Sequence, residues 1–319
     1  MKSIYFYIFI FTVILNGNSV FAQACCTAGT PLLGSLEMTS APKGILQFGF
    51  TFDHNSLTDV LSGSSELKNQ ERERISESLL FEVNYGLTNR ISVTSLFSYI
   101  RQERTISQSS NKLSAAGIGD IVLMVKYSLV PFDIFNNQEL SIGIGGKIPV
   151  GNSSLKSNGI LLPADMQPGT GSWDGIFWSY YSKGNFIFTD LTLMGNISYR
   201  MNGDNDRFEN SAKGYSFGNE LISSIGFNYP LNSTFDLTFI MKYRNAQNDT
   251  FGNEDIPNTG GNWVYLVPGI SSYLVNNLSA RLNGEIPVFR KVSGTQLTTT
   301  FSASVSIFYS LNIFEGSFK

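Results

Sequence analysis

Apolar and polar residues alternate with a period of two along most of the chain after Lys43. In the stretch 235–244 (FDLTFIMKYR), every second residue from the first Phe is apolar, and the other face carries Asp, Lys and Arg. The same alternation runs through 187–201 and 297–311. Because successive side chains of a strand point to opposite faces, this period predicts β-strands rather than helices.

Twelve such segments follow one another, and most have about ten residues or more, the length of a tilted strand that crosses a bilayer. One face of each segment is rich in Phe, Tyr and Leu, whereas the other is small, hydroxylated or charged. This pattern predicts an all-β transmembrane antiparallel up-and-down β-barrel of about 12 strands. The predicted strand cores are 44–53, 75–87, 90–102, 118–130, 138–150, 172–182, 186–200, 215–229, 233–244, 262–274, 278–289 and 297–311.

The connections between these segments alternate between long and short, which is the layout of an outer-membrane barrel. An even number of strands places both termini on the short-turn side, the periplasmic side. A soluble β-sandwich also alternates, but its strands are nearer five or six residues and its outer faces are polar. The predicted long connections are 54–74, 103–117, 151–171, 201–214 and 245–261.

The N-terminus has the features of a secretory signal peptide. Lys2 precedes an apolar run over 4–15, and Val20-Phe21-Ala22 follows, with its smaller residues in the first and third positions of a cleavage site. The run is too short for a membrane-spanning helix, so we expect cleavage after Ala22, with Ala24 as a second cut site. The predicted organisation is a signal peptide over 1–22, a periplasmic leader over 23–42 and the barrel over 43–319. Export to the outer membrane of a Gram-negative cell follows from this organisation.

Composition excludes several function classes. Charged residues make up 15% of the chain, against about 25% in typical globular proteins, and the formal net charge is −3. A weakly acidic chain with no basic patch has no electrostatic surface for nucleic acid.

Two glycine-rich stretches, GIGDIVLMVKYSLV at 117–130 and GIGGKIPVG at 143–151, raise the question of a dinucleotide-binding turn. Such a turn needs its glycines after a strand and before a helix. Here the glycines precede an alternating strand and no helix follows, so the nucleotide interpretation is rejected. Glycines on the inner face of a barrel strand indicate a bend, a close approach or free space.

These stretches, followed by QPGTGSWD at 167–174, resemble the outer-membrane transporter family labelled "meta-pathway of phenol degradation". The resemblance covers the middle strands. It implies a barrel that passes small, often apolar molecules and is not an enzyme. The family tends to have Pro-Thr-Gly where this chain has Pro149-Val150-Gly151.

Alternation assigns six acids and six bases to the inner face of the barrel. Charges of both signs indicate either a polar constriction that selects solutes or a salt-bridge network that fills the interior. The candidate lumen-lining residues are Glu82, Asp120, Lys126, Lys147, Asp190, Arg200, Glu220, Asp236, Lys242, Arg244, Arg281 and Glu285.

Two further features are candidates for a catalytic site or a metal-binding site. His54 lies in the stretch DHNS at the start of a predicted loop, where neighbours in sequence rarely form a catalytic triad, so no catalytic residue is assigned. Cys25 and Cys26 are adjacent. They are candidates for a vicinal disulfide or a soft-metal site such as Cu(I), and lipidation of Cys25 lacks the usual large apolar residue before it.

The predicted function is an outer-membrane channel for passive or facilitated passage of small solutes, apolar ones included. The alternatives are a closed barrel with a structural or adhesion role, and metal-linked uptake that uses Cys25 and Cys26. The expected partners are outer-membrane lipid, an unknown small solute and the barrel-assembly machinery. No enzyme activity, cofactor or nucleic acid is expected.

Overall fold

The computed structural model of the chain describes residues 23–24, 40–68, 72–106, 109–133, 137–208, 214–252, 254–275 and 277–313. Most of these residues form a closed sheet of long antiparallel strands, which confirms the predicted twelve-stranded transmembrane barrel. The strands are β1 Ile45–Ser62, β2 Arg72–Gly86, β3 Ile91–Ile106, β4 Ser109–Ile118 and Ile121–Asp133, β5 Gln138–Ile148, β6 Asp174–Lys183, β7 Thr192–Met201, β8 Glu220–Pro230, β9 Phe235–Ala246, β10 Gly261–Val275, β11 Leu278–Val292 and β12 Thr295–Asn312.

The barrel closes between its first and last strands. Strand β1 pairs with β12 in antiparallel register, from Ile45 opposite Asn312 to Ser62 opposite Thr295. Every other strand pairs with its neighbours in sequence order. Closure therefore satisfies the hydrogen-bonding groups that an open sheet would leave at its edges.

The two faces of the wall differ as the alternation predicts. Val125 and Tyr127 are 48% and 39% exposed, whereas Lys126 between them is 0% exposed. The outer surface is lined with large apolar side chains such as Ile144 and Phe177. The apolar face is therefore outside, against lipid, and the polar face is inside.

The wall is taller on one side. Strands β1, β3 and β12 have 18, 16 and 18 residues, whereas β6, β7 and β8 have 10, 10 and 11. The predicted long loops 54–74 and 103–117 were wrong in large part, because β1–β4 continue through most of them. In the extension of β1 the register shifts around Leu57, and its apolar residues Leu57, Val60 and Leu61 are buried, so the period-two alternation that marks a lipid-facing strand is interrupted there.

The start of the seventh strand was also predicted wrongly. Strand β7 begins at Thr192 rather than at residue 186, and 184–191 form a turn on the short-turn side. Asn185 and Asp190 have φ of 52° and 70°, a conformation that Asn and Asp adopt more readily than most residues. The backbone N–H of Asp190 donates to Asn185 Oδ1 at 3.0 Å. Local turn chemistry therefore interrupts an alternating sequence.

Three long connections, 149–173, 202–219 and 247–260, lie at the other end of the barrel, as the sequence predicts. We call their described residues the loop cap. Two hairpins join through Tyr215–Ser216 and Thr250–Phe251 to form a small four-stranded sheet. Ala164, Phe208 and Phe217 pack together with Tyr215 and Phe251. The loop cap is thus a packed structure with an apolar centre.

Two observations complete the description of the chain. Gln23–Ala24 pairs in parallel with Gln296 and Leu297 of β12. No helix in the described part of the chain has the length and apolar character needed to cross a membrane.

The orientation of the wall predicts an asymmetric effect of charge. Ile144 is 64% exposed on the outer face near the middle of β5. We expect Ile144→Arg to lower the free energy of unfolding from a bilayer by about 2–4 kcal/mol, because a charge then faces hydrocarbon. Denaturant titration in liposomes measures this loss. The control is Ile160→Arg in the loop cap, since Ile160 is 75% exposed outside the barrel wall. Equal losses in both variants would contradict the orientation.

Candidate functional site

A buried group of charges joins the barrel wall to the loop cap. We call Asp120, Lys147, Thr170 and Asp174 the charge cluster. Lys147 Nζ lies 2.5 Å from Asp174 Oδ2 and 3.4 Å from Asp120 Oδ2. Asp120 also accepts hydrogen bonds from the backbone N–H groups of Gly151 and Thr170, at 3.0 and 2.9 Å, and from Thr170 Oγ1 at 2.8 Å. None of these three charged side chains is more than 1% exposed.

Strand register brings the charge cluster together. Lys147 of β5 pairs with Asp174, the first residue of β6, on one side and with Val122 of β4 on the other. Asp120 lies in the break between the two segments of β4, so its carboxylate reaches the same layer. The three glycine-rich motifs of the sequence thus meet at one point in the wall.

Loop 149–173 returns to the wall at a close backbone crossing. A Cβ on Gly151 would lie 2.7 Å from the Cα of Gly169, and a Cβ on Gly169 would lie 2.5 Å from the carbonyl carbon of Gly151. Both distances are too short for a side chain, so each position requires glycine. The crossing holds the Thr170 and Gly151 N–H groups against Asp120.

A second buried contact attaches the same loop to the tall side of the wall. Arg74 of β2 donates to Asp165 Oδ2 at 3.1 Å and also to its backbone carbonyl, and Arg104 of β3 forms an ion pair with the same carboxylate. Within the loop, Gln167 accepts from the N–H of Leu155 at 2.8 Å and donates to the carbonyl of Leu162 at 2.9 Å. Loop 149–173 is therefore held folded inside the loop end of the barrel.

Ion pairs also join nearby strands of the inner wall below the loop cap. The Glu220 carboxylate accepts hydrogen bonds from Arg200 Nη2 at 2.9 Å and from Arg244 Nε at 2.5 Å. Lys242 forms an ion pair with Glu285. The Arg244 guanidinium lies 4.7 Å from the ring centroid of Trp263. A cation over an aromatic face is attracted by the ring quadrupole, so these bases are stabilised by both acids and rings.

Lys126 of β4 has its own surroundings. Its ammonium lies 4.7 Å from the Trp178 ring centroid, and the charges of Glu82 and Glu139 stabilise it. Glu139 in turn accepts from the backbone N–H of Ser40 at 3.3 Å. Lys126 and Asp120, which are six residues apart on one strand, therefore have separate partners, as their spacing predicts.

Two apolar clusters occupy the interior between these charges. The first contains Leu80, Leu96, Met124 and Trp178 of β2, β3, β4 and β6, and the second contains Trp263, Tyr265 and Val267 of β10 with Leu61 and Val292. On β5 the facing positions are Gly143 and Gly145, and a Cβ on Gly143 would lie 3.2 Å from both Met124 and Trp178. The inner glycines therefore give space to larger neighbours.

A cavity of about 260 Å³ lies in the barrel at the short-turn end. Its wall is formed by inward-facing residues of β6–β12, among them Tyr180, Asn196, Asp236, Thr238, Arg281 and Phe308. The cavity adjoins the apolar interior through Tyr180 and Ile240, which pack against the first and second apolar clusters.

Eleven of the twelve predicted lumen residues lie on the inner wall. The exception is Asp190, which was wrongly predicted to lie there and is exposed in the turn before β7. Many of the other eleven residues are buried. At mid-height of the barrel their charges therefore form an ion-pair network rather than the lining of an open channel. The eleven are Glu82, Asp120, Lys126, Lys147, Arg200, Glu220, Asp236, Lys242, Arg244, Arg281 and Glu285.

The remaining candidate residues divide into two groups. His54 was placed in a loop, but it lies within β1 on the outer face, where its Nδ1 is 3.5 Å from Glu77 Oε1. Cys25, Cys26 and the signal peptide lie outside the described residues. In the part of the chain that is described, no three His, Cys, Asp or Glu residues are grouped so as to hold a metal ion.

Sequence reasoning missed several residues that shape the interior. Arg74 falls in a segment predicted as a loop, and Asp165 lies in a true loop that has no periodicity. Trp178 and Trp263 have an alternation consistent with the inner face, but large aromatics were expected outside. The alternation of β6 and β10 was the available signal for both tryptophans.

Within the loop cap, Asp249 accepts Tyr215 Oη at 2.5 Å and the N–H of Gly218 at 2.9 Å. Burial raises the pKa of the Asp249 carboxyl above its ordinary value, against the lowering effect of these two donors. Burial and the neighbouring Asp249 also raise the pKa of the Tyr215 hydroxyl. Asp249 is therefore a titratable contact between two loops.

Comparison with known proteins identifies the architecture. No known family profile matches the chain, and no curated protein matches it. An outer membrane channel from Pseudomonas putida F1 superposes with a TM-score of 0.72 at 12% identity, covering 86% of this chain and 98% of that chain. The β domain of the Bordetella autotransporter BrkA gives 0.48 at 11% identity, covering 84% and 100%. The first likeness establishes a shared barrel fold, and the family resemblance of the motifs stays a prediction.

The charge cluster predicts a large effect of removing its one base. We expect Lys147→Met to lower the free energy of unfolding by about 3–5 kcal/mol, because two buried carboxylates then lose their counter-charge. Urea titration of the liposome-embedded protein measures the change. The control is Lys156→Met in the exposed part of loop 149–173, which we expect to be neutral. Adding Asp174→Asn to Lys147→Met is expected to recover part of the loss, and no recovery would argue against the ion pair.

The loop cap is expected to depend on pH through Asp249. Because its folded pKa is raised, its contribution to stability is complete below the ordinary carboxyl pKa and is lost as pH rises through the raised value. Amide hydrogen exchange over 214–218, corrected for the intrinsic rate, should therefore increase from acidic to neutral pH. Asp249→Asn is expected to remove this dependence, and Asp206→Asn, at an exposed loop position, to retain it. A pH dependence that survives in Asp249→Asn would rule the carboxyl out.

Proposed function

We propose that the protein is an outer-membrane channel for passive or facilitated passage of small solutes, including apolar ones. The observation that carries this proposal is the presence of two apolar clusters on an inner wall that is otherwise polar. The interior of a membrane barrel is ordinarily polar, whereas here Leu96, Met124, Trp178 and Trp263 face inward in two clusters. Such a wall lowers the free energy of an apolar solute that leaves water.

The two ends of this apolar interior differ in a way that suits a controlled passage. The short-turn end has a cavity of about 260 Å³, and the other end is covered by the loop cap. Asp165 is the contact that holds loop 149–173 between Arg74 and Arg104. Passage therefore requires this loop to move away from the wall, and we propose that its release opens the channel.

Removing the Asp165 carboxylate tests the proposal. We expect Asp165→Ala to release loop 149–173, because Arg74, which is 1% exposed, then loses its counter-charge. In planar bilayers the variant should show a higher open probability than the unchanged protein. The control is Asp255→Ala at an exposed position of the loop cap, which should leave the recordings unchanged.

Apolar solutes cross simple phospholipid bilayers unaided, so their passage must be measured across an intact outer membrane. Cells that carry the protein should take up radiolabelled naphthalene faster than cells without it, and Asp165→Ala should increase the rate further. Uptake of a sugar by the same cells reports general leakage. If neither the unchanged protein nor the variant raises conductance or uptake above the empty membrane, the channel proposal fails.

A closed barrel with a structural or adhesion role is the second candidate. It is favoured by the burial of Arg74, Lys126, Lys147, Arg200 and Trp263, each less than 2% exposed. This role leaves conductance at the level of the empty membrane in the Asp165→Ala variant too. The same recordings therefore discriminate between the two candidates.

We also propose that residues 1–22 direct export and are removed. The leader over 23–42 was predicted to lie on the periplasmic side, but Gln23–Ala24 pairs with Gln296 and Leu297 at the loop end of β12, and only the part of the chain near Lys43 lies beside the short turns. The support for export is the sequence pattern of the N-terminus together with a barrel whose described first and last strands begin and end on the short-turn side. Mass spectrometry of the protein purified from outer membranes gives its N-terminal residue.

A further inference from the structure

The cavity at the short-turn end, here called the mouth cavity, has a volume suited to a small solute. Its 260 Å³ correspond to the volume of roughly nine water molecules in the liquid. It lies in the half of the barrel that faces away from the loop cap. Its chemistry differs from that of the apolar clusters above it, because it carries one acid, one base and several hydroxyl and amide groups.

Strand register places the acid and the base of the mouth cavity in one row. Asp236 of β9 pairs with Ser271 of β10, and Ser271 pairs with Arg281 of β11. Neighbouring strands are about 4.8 Å apart, so the Cα atoms of Asp236 and Arg281 are about 10 Å apart along the wall. A negative and a positive group therefore face the same small volume from adjoining parts of the wall.

Contacts with neighbours hold both charged groups in place. Tyr273 Oη donates to Asp236 Oδ2 at 3.2 Å, and Arg281 Nε donates to Ser271 Oγ at 3.2 Å. The Arg281 guanidinium lies 5.6 Å from the ring centroid of Phe308. These contacts orient the charges before any solute arrives, which reduces the entropy lost on binding.

One polar group of the cavity has no protein partner. Thr238 Oγ1 is fully buried, its residue is 7% exposed, and no hydrogen-bond partner for it lies within the described residues. Thr238 pairs with Asn228 on one side and with Gly269 on the other, and both Thr238 and Asn228 line the cavity. A buried hydroxyl with no partner costs free energy unless a ligand or water bonds to it. This group therefore indicates a polar occupant.

Part of the lining is apolar or aromatic. It consists of Tyr180, Met194, Ile240 and Phe308. A solute that fits both the polar and the apolar part of the lining has a polar end and an apolar substituent. A simple anion gains from Arg281 but is repelled by Asp236, and a simple cation has the reverse problem. A molecule with one positive and one negative group satisfies both.

We propose that the mouth cavity binds a small zwitterion with an apolar substituent, of the amino-acid type. Its carboxylate lies at Arg281, its ammonium lies at Asp236, and the hydroxyl of Thr238 bonds to one of its polar groups. The apolar substituent lies against Phe308, Tyr180 and Ile240. The inference rests on the proposed function in one respect, since it names a solute class for the same lumen.

Three probes that share a phenyl ring test this charge preference: phenylalanine, 3-phenylpropionate and 2-phenylethylamine. Isothermal titration calorimetry on the full mature protein in detergent gives each Kd, and protein-free micelles correct for partitioning. We expect phenylalanine to bind at least tenfold more tightly than either single-charge probe. Equal affinity for the three probes overturns the proposal.

Variants assign each contact. Arg281→Gln should raise the Kd of phenylalanine at least tenfold and lower that of 2-phenylethylamine, because the positive charge that repels the amine is removed. Asp236→Asn should likewise raise the Kd of phenylalanine and lower that of 3-phenylpropionate. Thr238→Val should weaken binding by up to about tenfold, the value of one hydrogen bond. The controls are Arg90→Gln and Asp190→Asn, at exposed positions of the same end, which should bind normally.

Arg281→Lys separates charge from folding, because it keeps the positive group. It should retain most of the affinity, and circular dichroism verifies that each variant is folded. Equal losses in the Lys and Gln variants would overturn the role of charge. Binding without conductance or uptake leaves this site in place and removes the channel, whereas passage without discrimination among the probes removes the site and leaves the channel.

Discussion

The arrangement of this barrel depends on keeping Lys147 charged in a place that water does not reach. A buried ammonium is stable only with opposite charges and hydrogen bonds close by. Asp174 and Asp120 supply the charges, and they come from β6 and from the break in β4. Asp120 is itself held by N–H groups of loop 149–173, so the same ionic contact joins three strands and one loop. The loop cap is built on that loop.

From this point the interior divides into layers with different chemistry. The loop end is closed by packed loops and by Asp165 between two arginines. The middle combines apolar clusters with ion pairs around Glu220. The short-turn end has a cavity with both charges and hydroxyl groups. A solute crossing the barrel would meet these environments in turn, which is why an apolar part and a polar part both matter for the proposed solute.

The sequence predicted the barrel well because lipid imposes a strict pattern on a strand. Where one face must be apolar, period two is visible, and all twelve strands were found from it. The pattern stops where the wall rises beyond lipid, so the extensions of β1 and β3 were taken for loops and His54 was misplaced. The prediction that Asp190 lines the lumen was wrong for the opposite reason. The alternation continues in the sequence through a turn in which Asn185 and Asp190 have positive φ.

The sequence by itself determined the closed antiparallel sheet, its strand number, its inner and outer faces and the side that carries long loops. These features follow from local alternation and chain connectivity. The partners of the charges, the fold of loop 149–173 and the mouth cavity were decided only by tertiary structure. Register sets which residues of different strands are adjacent, and loop residues such as Asp165 reach partners about 60 to 90 positions away. No local pattern encodes such distances, because they depend on how the closed wall brings separate segments together.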